Sequence, residues 1–108
     1  MNIISDLEVA KKLVAIKTSA DSRGIEFDLS LRRVRQLLNT KKCFISGVKL
    51  NRIHQDPNQL TFDRLDNTKG YTDENVVACS SRLNKLKDSL TVEEITMIYM
   101  AIHKKIKK

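Results

Sequence analysis

Two side chains that carry oxygen atoms stand where a metal ion could be held. Asp63 ends a short segment of alternating apolar and polar residues, and Asn84 lies on a helical segment further along the chain. Carboxylate and amide oxygens suit hard cations such as Mg²⁺ or Mn²⁺, which retain several waters. Bound to phosphate, such a cation stabilises the charge that builds as a P–O bond breaks. On the same helical segment, Lys85 and Lys87 are placed to hold a flanking phosphate backbone.

The elements around these residues are predicted to follow the order strand, polar loop, strand, helix over residues 60–88. Residues 60–65 alternate in polarity, as a half-buried strand does. Residues 66–74 are rich in turn residues, and residues 76–79 form a second apolar strand. A helix then begins near Ser80. A unit of this size can hold a metal ion between a strand and a helix.

Three further helices are predicted, each from a polar residue at its N-terminus. Two of them begin at capping boxes, in which a Ser or Thr and a Glu three residues later satisfy each other's backbone amides. Apolar residues then recur at helical spacing in each segment. The helices are expected from the capping box at Ser5 to before Gly24, from Leu31 to about Asn39, and from the capping box at Thr91 towards Lys107.

The length and composition restrict the class of protein. The chain has 108 residues and a formal charge of +7, which predicts one domain and a polyanionic partner such as nucleic acid. No apolar run approaches the roughly 20 residues needed to span a bilayer, and residues 1–6 do not resemble a signal peptide. We therefore expect no membrane partner and a cytoplasmic location. Two cysteines, Cys43 and Cys79, are too few for a disulfide scaffold.

Positive charge is concentrated near both ends of the chain. One cluster lies within residues 32–42 and another within residues 103–108. Basic charge can also serve solubility alone. The hypothesis that it contacts DNA rests on these candidate residues: Arg32, Arg33, Arg35, Lys69, Arg82, Lys85 and Lys87.

Three segments together resemble one family. Residues 62–77 read FDRLDNTKGYTDENVV and are followed by NKLK at 84–87; upstream stand RGIEFDLSL at 23–31 and CFISGVKL at 43–50. In order and spacing these segments resemble the small HNH endonucleases of phages, over about residues 20–95. The resemblance implies a ββα-metal finger within a small α+β domain and a phage-encoded, metal-dependent DNA endonuclease. Nicking and double-strand cutting both remain open.

The resemblance also implies a role for each of four residues. Asp63 matches the metal-binding carboxylate, and Asn84 matches the metal ligand on the helix. Asn75 matches the residue that ties the loop together by hydrogen bonds. Arg64 stands where the general-base histidine of the best-known members stands. The implied cofactor is Mg²⁺ or Mn²⁺, and the implied partner is DNA.

The sequence departs from that family at two kinds of position. Arg64 stays protonated and cannot act as a general base, so it would instead hold the scissile phosphate or neutralise the pentavalent transition state. Water activation would then fall to the metal alone, to His54 or to Asp66. Many relatives bind a structural zinc through two C-x-x-C pairs, whereas here each pair retains one cysteine. We expect no zinc and buried, apolar packing of Cys43 and Cys79.

Three functional hypotheses follow. The chain is an endonuclease, or a DNA-binding module that has lost catalysis through Arg64, or a phage accessory protein on the same scaffold. All 108 residues would form one domain, and host cytoplasm would be its location if it is phage-encoded. The oligomeric state stays open, with a homodimer as one option, because the first and last helices could either cover the finger or build an interface. The expected divisions are residues 1–40 for N-terminal helices, 43–58 for a hairpin and loop, 60–88 for the finger, and 91–108 for a C-terminal helix and basic tail.

Overall fold

Four helices and two small β-pairs make up the fold, which is of the predicted α+β class. The computed structural model describes residues 4–106, so the expectations for residues 1–3, Lys107 and Lys108 concern positions outside that part. The helices are α1 (Asp6–Ser22), α2 (Leu31–Leu38), α3 (Ser81–Asp88) and α4 (Val92–Ile106). The strands are β1 (Phe27–Asp28), β2 (Leu60–Arg64), β3 (Tyr71–Thr72) and β4 (Val76–Ser80).

Every helix begins beside the polar residue predicted to cap it. Ahead of α1, Ser5 Oγ accepts from the Glu8 amide at 3.1 Å, and the Ser5 amide donates to the Glu8 carboxylate at 3.4 Å. Thr91 and Glu94 form the same reciprocal pair ahead of α4, at 3.0 and 2.8 Å. Single serine hydroxyls cap α2 and α3. These bonds satisfy amides that have no partner within the helix.

The strands β2 and β4 form the antiparallel pair on which the candidate site is built. Their register runs from Leu60 opposite Ser80 to Arg64 opposite Val76. Helix α3 follows β4 directly and packs against both strands. The order strand, loop, strand, helix predicted for residues 60–88 is therefore confirmed.

A second pair, β1 with β3, is parallel and was not predicted. Phe27 lies opposite Tyr71, and the Tyr71 amide donates to the carbonyl of Glu26 at 2.8 Å. The loop comes this close because Gly70 has no side chain: a Cβ there would lie 2.5 Å from Glu26 O. The pairing fastens the loop between β2 and β4 to the segment that follows α1.

The hairpin predicted for residues 43–50 is present as a turn without regular strands. Cys43 N donates to Val48 O at 2.8 Å, and Gly47 takes a φ of 75°. Its arms are joined by the single bridge between Lys42 and Lys49. The arm beyond Cys43 pairs elsewhere, since the Phe44 amide donates to Ala78 O at 2.9 Å.

The core lies between α1, α2 and the β2–β4 pair. Val9, Val34, Leu37, Val76 and Cys79 are among its most buried members. Helix α1 packs against α2 and β1. Helix α4 differs, because each of its residues is exposed. Within residues 4–106, none of the helices combines the length and the apolarity that crossing a membrane requires.

Candidate metal and phosphate site

Asp63 is a buried carboxylate with one unsatisfied oxygen. It lies near the end of β2 and is 2% exposed. Its Oδ1 is 3.2 Å from the Nζ atom of Lys87, whereas Oδ2 has no hydrogen-bond partner in the described chain. Burial raises the pKa of Asp63 above its ordinary value, and the Lys87 ammonium opposes that rise. A buried polar atom without a partner is unfavourable unless a bound group satisfies it.

Asn84 is oriented by a chain of two hydrogen bonds. Its Nδ2 donates to Thr61 Oγ1 at 3.0 Å, and that hydroxyl donates to Cys79 O at 2.9 Å. Because the hydroxyl hydrogen is engaged with Cys79, Thr61 can only accept from the amide, which identifies the nitrogen. The carbonyl oxygen of Asn84 is therefore the atom left to bind a cation.

One polar pocket brings the two predicted ligands together. Its volume is about 70 Å³, and its lining includes both Asp63 and Asn84. This space is sufficient for an ion or a few waters. The other lining residues are Arg23, Phe62, Arg64, Asn67, Tyr71 and Asp88.

Arg64 lines the pocket and also braces the loop beside it. Its Nη1 donates to Lys69 O at 2.8 Å and to Asn67 O at 3.2 Å. The guanidinium carbon lies 5.2 Å from the ring centroid of Tyr71. Those bonds engage one nitrogen only, so the rest of the guanidinium remains able to contact an anion in the pocket.

Asn75 has the loop-bracing position expected of it. It is 8% exposed, its Oδ1 accepts from Asp66 N at 3.0 Å, and its Nδ2 donates to Asp66 O and Gly70 O at 3.0 and 2.9 Å. These three bonds close the loop between β2 and β4. Asn75 thus acts through the loop and does not line the pocket.

The two residues proposed to activate water lie outside the pocket lining. His54 is exposed in the loop before β2. Asp66 is also exposed, and its Oδ1 accepts from both the amide and the hydroxyl of Thr68, which lowers its pKa. The second carboxylate that does line the pocket belongs to Asp88, whose position at the end of α3 the sequence pattern did not single out.

Three of the cations expected to contact DNA are directed into the protein. Lys87 Nζ contacts Asp63, Arg64 O at 2.8 Å and Asn67 Oδ1 at 3.3 Å. Arg33 donates to Val76 O at 2.9 Å, and Arg35 pairs with Asp6 and donates to Ile4 O at 2.7 Å. Their charges hold elements together, although the Arg35 side chain remains 38% exposed. The other four candidates are exposed: Arg32, Lys69, Arg82 and Lys85.

Arg23 lines the pocket, although no sequence pattern assigns it a role. It follows α1, and its Nη2 donates to the Tyr71 hydroxyl at 2.5 Å. Tyr71 itself is 7% exposed and anchors the loop. The guanidinium carbon of Arg23 lies 5.7 Å from the Tyr71 ring centroid. The feature of the sequence that could have identified Arg23 is its place in the segment 23–31, since that segment resembles the same family as residues 60–88.

The two cysteines are buried and free of disulfide bonds. Cys43 Sγ accepts from the Ser80 amide at 3.3 Å. Burial by itself raises the pKa of Cys43, but hydrogen bonds from Ser46, Ser80 and Ile45 outweigh burial and lower that pKa to about 6. Burial and the neighbouring Cys43 raise the pKa of Cys79 to about 12. Across residues 4–106, no three His, Cys, Asp or Glu side chains gather into a group that could hold a metal. The expectation of no zinc remains a prediction.

Comparison with known proteins finds similarity to a phage protein. An uncharacterized 29.0 kDa protein of Enterobacteria phage T4, from the dda-modA intergenic region, is 30% identical over 89 residues. The match covers 82% of this chain and 35% of that protein, so the chain spans about a third of its relative's length. No family model matches the sequence. No solved structure matches it either.

Proposed function

We propose that this chain is a metal-dependent DNA endonuclease of the HNH type, built on a ββα-metal finger at residues 60–88. The observation that carries the proposal is the buried Oδ2 of Asp63, which lacks a partner and belongs to a pocket shared with Asn84. The order of elements and the +7 charge support it. The phage T4 relative supports a phage origin.

The donor atoms in the pocket fit Mg²⁺ or Mn²⁺. Asp63 would contribute a carboxylate oxygen and Asn84 its amide oxygen. Mg²⁺ binds through one or two carboxylates plus waters and substrate phosphates, so it does not need three acidic or imidazole ligands. When bound, the cation would polarise the scissile phosphate and stabilise the charge that develops on it.

The other pocket residues supply what phosphodiester hydrolysis needs besides the cation. The guanidinium groups of Arg23 and Arg64 would bind the phosphate oxygens, which arginine can contact through two parallel hydrogen bonds. Water adds to phosphorus as one P–O ester bond breaks, and Asp88 is the pocket carboxylate that can accept the water's proton. Asn75 braces the loop to which Arg64 is hydrogen-bonded, and Tyr71 holds the Arg23 guanidinium.

Cleavage of supercoiled plasmid with Mg²⁺ or Mn²⁺ tests the proposal. We expect Asp63→Asn and Asn84→Ala each to lower the cleavage rate at least about 100-fold. Asn84→Asp keeps an oxygen ligand and is expected to retain more activity than Asn84→Ala. Asp28→Asn, an exposed carboxylate outside the pocket, is the matched control and should cut at the wild-type rate. Failure to cut with either metal would reject the endonuclease, and cutting by Asp63→Asn would reject the site.

A second candidate function is DNA binding without cleavage. The observation that favours it is the Lys87 ammonium, which lies 3.2 Å from Asp63 and neutralises the carboxylate that a cation would use. In that case duplex DNA binds equally well in Mg²⁺ and in EDTA, and Mn²⁺ does not change the melting temperature. The endonuclease predicts instead that Mn²⁺ raises the melting temperature of the wild type but not of Asp63→Asn. A protein that neither retains DNA at low salt nor responds to metal would fit the phage accessory hypothesis.

A further inference from the structure

Helix α4 is an apolar helix with no cover in the described chain. All 15 of its residues are exposed, among them Val92 at 74% and Ile106 at 75%. Isolated helices shorter than about 12–15 residues are marginal in water, and most helices in proteins are stabilised by packing. We therefore expect its apolar side chains to pack against a partner surface.

Five apolar side chains of α4 follow a regular pattern and form a stripe, whereas Met97, Ile98 and Met100 lie outside it. The spacing along the stripe alternates between three and four residues, as at the contact positions of two helices that pack side by side. At about 100° per residue, all five positions fall within an arc of about 80°. They line one side of α4, where a groove of about 280 Å³ lies along its C-terminal half. The stripe consists of Val92, Ile95, Tyr99, Ile102 and Ile106.

The charges of α4 are complementary to those of an antiparallel copy of itself. Glu93 and Glu94 lie in its first turn, and His103, Lys104 and Lys105 lie in its last turn. An antiparallel pair sets the acidic end of each helix beside the basic end of the other, and it also opposes the two helix dipoles. A parallel pair would bring like charges together.

We infer that the stripe on α4 is the interface of a homodimer, in which two copies pair their α4 helices antiparallel about a two-fold axis near Tyr99. A two-fold interface uses the same patch on both subunits, and an axis near Tyr99 places Val92 opposite Ile106 of the other copy, because each lies seven residues from Tyr99. The interface is one 15-residue helix about 22 Å long on each side. Its small size predicts a dimer that dissociates on dilution. The inference does not depend on the proposed nuclease activity.

Sedimentation velocity of the full chain from about 1 µM to about 1 mM tests the dimer. We expect the wild type to approach twice its monomer mass of 12.4 kDa as the concentration rises. Ile102→Glu should raise the dissociation constant at least about tenfold, because it places a charge in the stripe on both copies. Met97→Glu is the matched control, since Met97 is 63% exposed and lies opposite the stripe.

Circular dichroism of each variant distinguishes a loss of dimerisation from a loss of the fold, because an unfolded variant loses its helical spectrum. A wild type that stays monomeric over the whole range overturns the inference. So does a Met97→Glu variant that dissociates as readily as Ile102→Glu.

Disulfide trapping tests the antiparallel orientation. Tyr99→Cys lies at the centre of the stripe and should form a disulfide-linked dimer under mild oxidation. Val92→Cys should not, because an antiparallel pairing about Tyr99 separates the two copies of position 92 by about 20 Å, beyond disulfide reach. Cys43 and Cys79 are buried, so the wild-type protein should form no disulfide-linked dimer and serves as the negative control. Efficient trapping of Val92→Cys would contradict the antiparallel arrangement.

Discussion

At the scale of single residues, Asp63 is held in a site that disfavours its charge. Burial raises its pKa above the ordinary 3.8, so the folded state binds the proton more tightly than the unfolded state. Its contribution to stability is thus largest at low pH and falls as the pH rises from 3.8 through the raised pKa. At neutral pH the ionised carboxylate therefore reduces the free energy of unfolding unless a cation compensates it.

The variant Asp63→Asn removes this unfavourable charge without changing the shape of the side chain. We expect it to melt a few degrees higher than the wild type in EDTA at pH 7, and the difference to shrink as the pH is lowered. Differential scanning calorimetry at several pH values measures both. An Asn variant that melts lower than the wild type at every pH would show that the ion pair with Lys87 outweighs the cost of burial.

Metal binding should titrate with the same carboxylate. A cation needs the ionised form of Asp63, so protons compete with it below the raised pKa. We expect the stabilisation by Mn²⁺ to disappear on acidification at a pH above the ordinary value of 3.8. Thermal melts with and without Mn²⁺ across pH give this profile. A metal effect that persists unchanged through that range would indicate that the cation binds elsewhere.

Arg64 braces the loop, and under the proposed function it would also bind phosphate; substitution can separate the two effects. Its two bonds to loop carbonyls predict that Arg64→Ala lowers the free energy of unfolding by about 1–3 kcal/mol. We expect Arg64→His to reduce plasmid cleavage as well, because histidine cannot reproduce the bonds to the loop and to phosphate together. Urea unfolding and cleavage rates measured on the same preparations distinguish the two effects. Faster cleavage by Arg64→His would mean that arginine impairs the site.

At the scale of elements, local signals were sufficient where a few neighbouring residues determine the structure. Capping residues and helical apolar spacing predicted the four helices, and a segment of alternating polarity and an apolar run predicted the strands β2 and β4, because each of these elements depends on residues close in sequence. The β1–β3 pair was missed because it joins two-residue strands, Phe27–Asp28 and Tyr71–Thr72, that are distant in sequence. The inward turn of Lys87 was missed for a related reason: charge type does not reveal which side of α3 faces the buried Asp63.

Gly70 tests whether the β1–β3 contact matters. A Cβ at this position would meet Glu26 O at 2.5 Å and Glu26 Cβ at 2.6 Å, so Gly70→Ala should separate the two strands. We expect a loss of about 2–4 kcal/mol in the free energy of unfolding. Gly24→Ala is the control: it has a φ of +66° but open space around it, so it should lose only about 1–2 kcal/mol. Equal losses in urea unfolding would show that the close approach is not a constraint.

At the scale of the whole molecule, the basic side chains behind the +7 charge fall into two groups, those engaged within the fold and those exposed to solvent. Arg33, Arg35 and Lys87 bind carbonyls and carboxylates within the fold. Other cations are exposed, and Arg82 and Lys85 lie on α3, the helix that also carries Asn84. Because some cations are engaged within the fold, fewer than all 20 basic residues are available to DNA, and the exposed Arg82 and Lys85 share α3 with the candidate ligand Asn84.

Salt dependence measures how many of these cations meet phosphates. Each contact adds about 0.9 to the slope of log affinity against log salt on duplex DNA, so the double variant Arg82→Ala, Lys85→Ala should lower that slope by about 2. Lys17→Ala is the control, because Lys17 is already paired with Asp21 at 3.1 Å on the surface of α1. Fluorescence anisotropy with a labelled duplex between about 50 and 200 mM salt gives the slopes. If the double variant kept the wild-type slope, DNA would have to meet another face of the protein, and the pocket of Asp63 and Asn84 would lose its connection to a substrate backbone.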